Sequence, residues 1–165
     1  MSEEIALDAI DWRLLDALQQ DASRTNQQLA LDLHLSPATC LRRVQRLRQA
    51  GLIEREVALL AADRLAVTLT ALVEVSLDRQ DAGALDAFEA RVAADEAVQQ
   101  CWRVSPGPDF VLVVTVHDMP GYQALAQRLF TSDANVRNVK AFFSVKRAKF
   151  EPRLPLPIPG AGANR

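Results

Sequence analysis

The chain has 165 residues and a mass of 18.2 kDa, which allows one large domain or two small ones. Its 49% of hydrophobic and 24% of charged residues are typical of a folded globular protein and exclude a disordered one. The net charge of -2 excludes a globally basic protein, so any contact with nucleic acid must come from a local patch.

Several features indicate a cytoplasmic protein. The first residues, MSEEIALDAIDW, are acidic and lack the basic and apolar regions of a secretory signal. No apolar run approaches the roughly 20 residues that a membrane-spanning helix needs. Cys40 and Cys101 lie far apart without metal-type spacing. Two reduced, buried thiols are therefore a better expectation than a disulfide.

The first third of the chain predicts three short helices. Ile10–Gln19 carries leucines at helical spacing, and Asp8 and Asp11 are possible caps. Thr25 or Asn26 can cap the second helix.

The third predicted helix runs from about Pro37 to Ala50. Ser36 is a good N-cap, proline suits the first helical position, and Gly51 suits the C-terminal end. At about 100° per residue the helix has two faces. One face is apolar and consists of Cys40, Leu41, Val44 and Leu47. The other is basic, is not interrupted by an acid, and consists of Thr39, Arg42, Arg43 and Arg46.

A short helix, a tight turn and a second helix with a one-sided arginine face form the helix-turn-helix design. In that design the second helix lies in the major groove of DNA. An ordinary solvated helix can also carry a charged face. Three helices within so short a stretch, with the arginines on the third, favour DNA binding.

The remainder predicts a second domain. Its elements are a short strand and connection within 53–65, strands at 67–77, 98–104, 110–117 and 136–147, and helices from 81 or 83 to 94 and over 118–130. The order β-α-β-β-α-β is that of a ferredoxin-like antiparallel sheet with both helices on one face. The strand at 110–117 is apolar on both faces, so we expect a second copy of the sheet to cover the outer face in a homodimer.

We therefore predict an α+β protein of four segments. A helix-turn-helix domain occupies residues 1–52, a β-strand linker 53–66 and a ferredoxin-like domain 67–150. Residues 151–165 contain alternating prolines and no periodicity, which indicates an extended, flexible tail.

Two long stretches carry a family resemblance. LDAIDWRLLDALQQDASRTNQQLALDLHLSPATCLRRVQRLRQAGLIER and VSPGPDFVLVVTVHDMPGYQALAQRLF resemble the Lrp/AsnC (leucine-responsive, or feast-famine) family of transcriptional regulators, over about Leu7 to Pro155. The resemblance implies a winged helix-turn-helix head, a β-linker and a ferredoxin-like domain. That domain would dimerise, assemble further into tetramers or octamers, and bind an effector, usually an amino acid, near the hairpin loop.

The resemblance also implies which residues contact double-stranded DNA. The helix after Ser36 is the expected recognition helix, and a dimer implies an operator with two half-sites. The candidates are Asn26, Ser36, Ala38, Thr39, Arg42, Arg43 and Arg46. Arg42 and Arg43 are expected to neutralise phosphates, whereas Thr39 and Arg46 are better placed for base edges.

The predicted hairpin loop SPGPDF departs from the Gly-x-x-Asp pattern of the family. Pro106 and Pro108 have no N–H, so only the backbones of Ser105, Gly107, Asp109 and Phe110 can donate to an effector carboxylate. Asp109 can accept from an effector ammonium group, or it can close the turn by accepting from nearby N–H groups. The expected effector contacts are Ser105, Pro106, Gly107, Pro108, Asp109 and Phe110, with Asn135, Val136 and Ser144 as weaker candidates for the opposing wall.

The sequence offers little for catalysis or metal binding. His34 and His117 lack the partners of a catalytic triad or metal site, and SPGPDF lacks the lysine of a phosphate loop. We expect no enzyme and no cofactor. Two alternatives stay open: an amino-acid-binding module that controls an enzyme without touching DNA, and a winged helix that binds proteins. The arginine face argues against the first.

Overall fold

The computed structural model describes residues 5–65 and 68–158. These form two compact units, one from 5–59 and 150–158 and the other from 60–65 and 68–149. Within the described ranges no helix is long and apolar enough to cross a membrane. Both cysteines are free; Cys40 is buried and Cys101 is half-buried.

The first unit contains the three predicted helices, α1 (Ala9–Gln20), α2 (Asn26–Asp32) and α3 (Pro37–Gln49). Each begins at a side chain that accepts from the first helical turn, because the first N–H groups of a helix have no partner within it. These N-caps are Asp8, Thr25 and Ser36. One core joins the helices and includes Leu14, Leu18, Leu29, Ala30, Cys40, Val44 and Leu47.

The end of α3 depends on a glycine. Gly51 follows the C-cap residue Ala50 with φ at +71°, a backbone conformation that L side chains rarely adopt.

The prediction for the apolar face of α3 is wrong at one position. Leu41 is 41% exposed, because it lies at the margin of the apolar stripe, whereas Cys40, Val44 and Leu47 are buried.

The short strand predicted within 53–65 is wrong. Residues 54–61 form neither helix nor strand, and α4 (Ala62–Leu65) follows them. A strand needs a second strand for its backbone hydrogen bonds, and no other described segment pairs with this one. Val57, Leu59 and Leu60 are consequently exposed.

The second unit has the predicted ferredoxin-like order. Its elements are β1 (Leu69–Leu77), α5 (Ala82–Ala93), β2 (Val98–Arg103), β3 (Phe110–Val116), α6 (Met119–Ala126) and β4 (Val136–Phe143). The strands form an antiparallel sheet in the order β2-β3-β1-β4. Two helices and their sheet thus form one domain of the predicted α+β class.

The two faces of this sheet differ. The core face of β1 contributes Ala71, Val73, Val75 and Leu77, which pack with residues of both helices, including Phe88, Val92 and Leu125. On the outer face Leu72 lies opposite Val113 on one side and Phe142 on the other, and Trp102 lies opposite Val111. Leu72, Trp102 and Phe142 are 45%, 59% and 54% exposed. The outer face therefore carries an apolar patch that is open within one chain, next to polar residues of the same face such as Thr70 and Glu74.

Two element ends differ from the sequence prediction. The α-helix of α6 ends at Ala126 and continues as a π-helical turn, Gln127–Thr131. The last strand ends at Phe143 instead of residue 147, since the β1 strand beside it begins only at Leu69. The predicted start of β1 at residue 67 lies outside the described residues.

The described part of the tail returns to the first unit. Residues 151–158 have no helix or strand, and the amide of Gln19 pairs with both backbone groups of Leu154 at 3.0 and 2.9 Å. The remaining tail residues, 159–165, for which flexibility was predicted, lie outside the described ranges.

Candidate nucleic-acid interface and effector loop

The turn between α2 and α3 sets the start of the predicted recognition helix. His34 adopts φ of 56°, and its N–H donates to the carbonyl of Leu31 at 3.3 Å. Leu35 then donates to Ala30 at 2.8 Å. The left-handed residue reverses the chain within a few residues, so α3 begins directly after the turn.

The N-terminal end of α3 presents small polar groups. The Ser36 hydroxyl donates to the Thr39 hydroxyl at 2.8 Å and accepts from the Thr39 N–H at 3.2 Å. The Thr39 hydroxyl keeps its own proton for another acceptor. Ser36 and Ala38 are exposed, whereas Thr39 and Asn26, which opens α2, are half-buried.

The three arginines of the predicted basic face lie in different environments. Arg42 is exposed and makes no ion pair with any described residue. Arg43 donates to the carboxylates of Asp8 and Asp11, both at 2.8 Å, and Arg46 also pairs with Asp11. No acid lies on this face of α3, as the sequence indicated, but Asp11 of α1 and Asp8, the N-cap of α1, contact it. Sequence reasoning treated both acids as caps and missed this contact.

A small cleft of about 120 Å³ is lined by Asp8, Arg42, Arg43 and Arg46. Hydrogen bonds from the Asp11 and Ile10 backbones and from the Arg43 guanidinium hold the pKa of Asp8 below its usual value, the first being the largest cause. The hydrogen bond to Asp11 is the main cause that raises the pKa of Arg43. The shifts favour the charged forms of both Asp8 and Arg43.

The second candidate site is the hairpin loop between β2 and β3. The Ser105–Pro106 peptide bond is cis, and Gly107 has φ of +133°. The Asp109 carboxylate accepts from the Leu77 N–H at 2.7 Å and from the Gln80 amide at 3.3 Å. Asp109 thus closes the loop onto the end of β1, which is the structural role left open above.

The backbone N–H groups available in this loop are fewer than the sequence allows. The N–H of Asp109 donates to Val75 at 2.9 Å, and Phe110 belongs to β3, where it pairs with Val75 of β1 and Arg103 of β2. Within the described part of the chain, Ser105 and Gly107 have N–H groups without an acceptor. These two are the donors that the loop can offer to an anion.

The other predicted effector residues fall at opposite ends of the sheet. Val136 pairs with Leu77, and the Asn135 side chain binds both backbone groups of Arg79 at 2.8 and 3.2 Å. These residues therefore lie at the same end as Asp109. Ser144 instead donates to Thr70 at 2.8 Å, near the start of β1 and about 23 Å from Leu77 by strand geometry. Within one chain Ser144 cannot share a site with the loop.

An open groove of about 760 Å³ lies at that other end of β3, away from the loop. Its arginine, Arg128, is bound by Asp95 through two hydrogen bonds of 2.6 and 2.9 Å, and Asp118 caps α6. Arg128 and Asp95 are thus engaged with each other and Asp118 with its own helix, so the size of the groove alone does not make it the effector site.

Comparison with known families matches both units. A winged helix-turn-helix DNA-binding model matches residues 7–54, and the Lrp/AsnC ligand binding domain model matches residues 70–154. The chain belongs to the Lrp/AsnC family of transcriptional regulators. As a member of that family it combines a DNA-binding domain with a ligand-binding domain.

Other Lrp/AsnC proteins align over almost the whole chain. The leucine-responsive regulatory protein of Rhizobium meliloti is 36% identical over 149 residues, 90% of this chain and 96% of the relative. The Bkd operon transcriptional regulator of Pseudomonas aeruginosa is 33% identical over 150 residues, 91% of this chain and 98% of the relative. Among solved structures, a Neisseria meningitidis regulator in complex with L-methionine has a TM-score of 0.82 at 29% identity, covering 91% of this chain and 97% of that one. An AsnC family regulator of Agrobacterium tumefaciens has a TM-score of 0.83 at 29% identity, covering 90% and 97%.

The conformation of this Lrp/AsnC loop depends on Gly107. A Cβ at this position meets no atom within 4 Å, so a substitution is disfavoured only by the positive φ. Gly107→Ala is expected to lower the free energy of unfolding by about 1–2 kcal/mol in urea unfolding. Gly83→Ala is the matched control, because the same change within α5 is expected to raise it by about 0.5 kcal/mol. Wild-type stability in Gly107→Ala would contradict the loop conformation.

Proposed function

We propose that the regulator binds operator DNA through α3 and that a free amino acid at the β2–β3 loop controls this binding. The exposed, unpaired Arg42 beside Arg46 on the second helix of a helix-turn-helix carries the first half of the proposal. Phosphate contacts position a protein on DNA, whereas base contacts specify the sequence. Arg42 is exposed and can therefore reach a phosphate of bound DNA. The remaining proposed DNA contacts are Asn26, Ser36, Ala38, Thr39, Arg43 and Arg46.

Arg42→Ala tests the DNA-binding face. We expect affinity for double-stranded DNA to fall about tenfold and the salt dependence to lose about one charge equivalent, because one phosphate contact is removed. Fluorescence anisotropy with a labelled duplex over a salt series measures both. Arg79→Ala is the control, since it removes the same charge from an exposed side chain of the second unit. Unchanged affinity and salt slope in Arg42→Ala would contradict the assigned face.

The amino-acid part of the proposal rests on the loop geometry and on the relatives. The N–H groups of Ser105 and Gly107 can donate to an α-carboxylate. The Asp109 carboxylate, which uses one oxygen to hold the loop, offers its other oxygen to an α-ammonium group. Asn135 and Val136 lie at the same end of the sheet. One solved relative is a complex with L-methionine, and several are named leucine-responsive, which favours an amino acid as the effector.

A thermal-shift screen against the twenty amino acids tests this effector. A ligand that binds only the folded state stabilises it by about 2.7 kcal/mol at a concentration of 100 Kd, so at least one amino acid is expected to raise the melting temperature. In Asp109→Asn the same amino acid should bind at least about tenfold more weakly, because the partner of its ammonium group has lost its charge. Asp118→Asn, at the opposite end of β3, should bind as the wild type does. Silence of all twenty amino acids at concentrations above millimolar would exclude an amino-acid effector.

We further propose that two chains associate through the outer face of the sheet, and that such dimers assemble into tetramers or octamers. The exposed side chains of Leu72, Trp102 and Phe142, with Val111 and Val113 of β3 between Trp102 and Leu72, form an apolar surface. Contiguous apolar surface of this kind is typical of an interface.

Leu72→Glu tests the interface. A charge at the centre of this surface would lose its water in the dimer, so we expect the particle mass to fall at least twofold relative to the wild type. Sedimentation equilibrium measures the mass, with 18.2 kDa as the value for one chain. Gln123→Glu adds the same charge at an exposed position on α6 and should leave the mass unchanged. Equal masses for Leu72→Glu and the wild type would exclude this face.

A further inference from the structure

The most buried charged group of the first unit is Asp11. Its side chain is 1% exposed, whereas the neighbouring Asp8 is 52% exposed. One carboxylate oxygen of Asp11 accepts from Arg43, and the other accepts from Arg46 and from the Asp8 N–H at 3.1 Å. Burying a carboxylate costs several kcal/mol unless such partners are present. The cluster therefore connects α1 to the basic face of α3.

Arg43 and Arg46 do not use all their N–H donors in this cluster. A guanidinium carries five N–H donors in one rigid plane, so a bond to Asp11 fixes the direction of the remaining ones. Arg46 is 43% exposed and keeps outward donors. Arg43 is 20% exposed, and its Nε is buried without a partner among the described residues. With Arg42 these side chains line the small cleft on the α3 surface.

We propose that Asp11 is a positioning residue for DNA binding. Its buried carboxylate orients Arg43 and Arg46 so that their remaining N–H groups, together with Arg42, hold one backbone phosphate of DNA at the cleft. For Arg46 this phosphate contact replaces the base-edge contact that the sequence suggested. The partner is the phosphodiester group itself, which is the same in every sequence, so the contact contributes affinity and register but no base specificity. This inference rests on the DNA-binding face of α3 proposed above.

Simple electrostatics and positioning predict opposite effects for Asp11→Asn. The substitution removes a negative charge beside a basic surface, which by charge alone would strengthen DNA binding. If Asp11 orients the arginines, the neutral amide holds them less well and binding weakens. The sign of the change therefore separates the two mechanisms.

The experiment compares Asp11→Asn with the wild type on a mixed-sequence DNA duplex over a salt series. We expect affinity to fall about tenfold and the salt slope to drop by about one charge equivalent. Stoichiometric titration at low salt gives the active fraction, so a loss of folded protein is not counted as a loss of affinity. Asp16→Asn is the control, because Asp16 lies on the same helix and accepts only from the amides of Gln19 and Gln20. Equal or tighter binding by Asp11→Asn would overturn the inference.

A second pair of variants decides the question if Asp11→Asn does not fold. Lysine in place of Arg46 keeps the positive charge. Its compact ammonium group, however, lacks the planar set of N–H donors that lets one guanidinium bind Asp11 and a phosphate at the same time. Arg46→Lys should therefore weaken binding about tenfold, whereas Arg42→Lys, at a residue that does not touch Asp11, should weaken it less than about threefold. Equal effects would overturn the inference. Unchanged binding in Arg42→Ala would instead contradict the DNA-binding face as a whole.

Discussion

The buried carboxylate of Asp11 makes the ion pairs on which the proposed DNA-binding surface depends. It joins the start of α1 to the middle of α3 and completes the capping box of α1 through the Asp8 N–H. Removal of one member of a buried charge cluster typically costs about 3–5 kcal/mol, because the remaining charge loses its partner. The position of α3 and the direction of its arginines thus depend on the same group. The proposal therefore predicts that substitutions of Asp11 lower both stability and DNA affinity.

A carboxylate also organises the ligand-binding domain. Asp109 accepts from the Leu77 N–H and links the β2–β3 loop to the end of β1. Pro106 and Pro108 donate no N–H, so Ser105 and Gly107 remain as the free donors in the described loop. An effector would therefore meet a loop that offers two donors and one partly engaged acid. Fewer backbone donors leave more of the recognition to the effector's side chain or to a second copy of the chain.

Local chemistry explains which parts of the fold could be predicted from sequence. Asp8, Thr25 and Ser36 cap helices through contacts within a few residues. In β1 the alternation of apolar and polar residues predicts which face of the strand is buried. The strand expected within 53–65 fails because pairing requires a neighbour that the local pattern does not reveal. The turn at Gln127–Thr131 shares its apolar stripe with α6, so periodicity does not separate a π-helical turn from an α-helix.

The candidate sites also combine features that the local sequence pattern predicts with features that depend on tertiary packing. The basic face of α3 follows from its helical period, but the pairing of Arg43 and Arg46 with Asp11 depends on how α1 packs against α3. Likewise, the place of Ser144 at the far end of the sheet depends on strand register, which the hairpin motif alone does not determine.

A crystal structure of the full chain bound to duplex DNA tests the central claim most directly. We predict a backbone phosphate oxygen within hydrogen-bond distance of Arg42 and Arg46 at the cleft, with Arg43 and Arg46 still bound to Asp11. Arginines released from Asp11 and extended along the DNA, or a phosphate-free cleft in the bound complex, would contradict it.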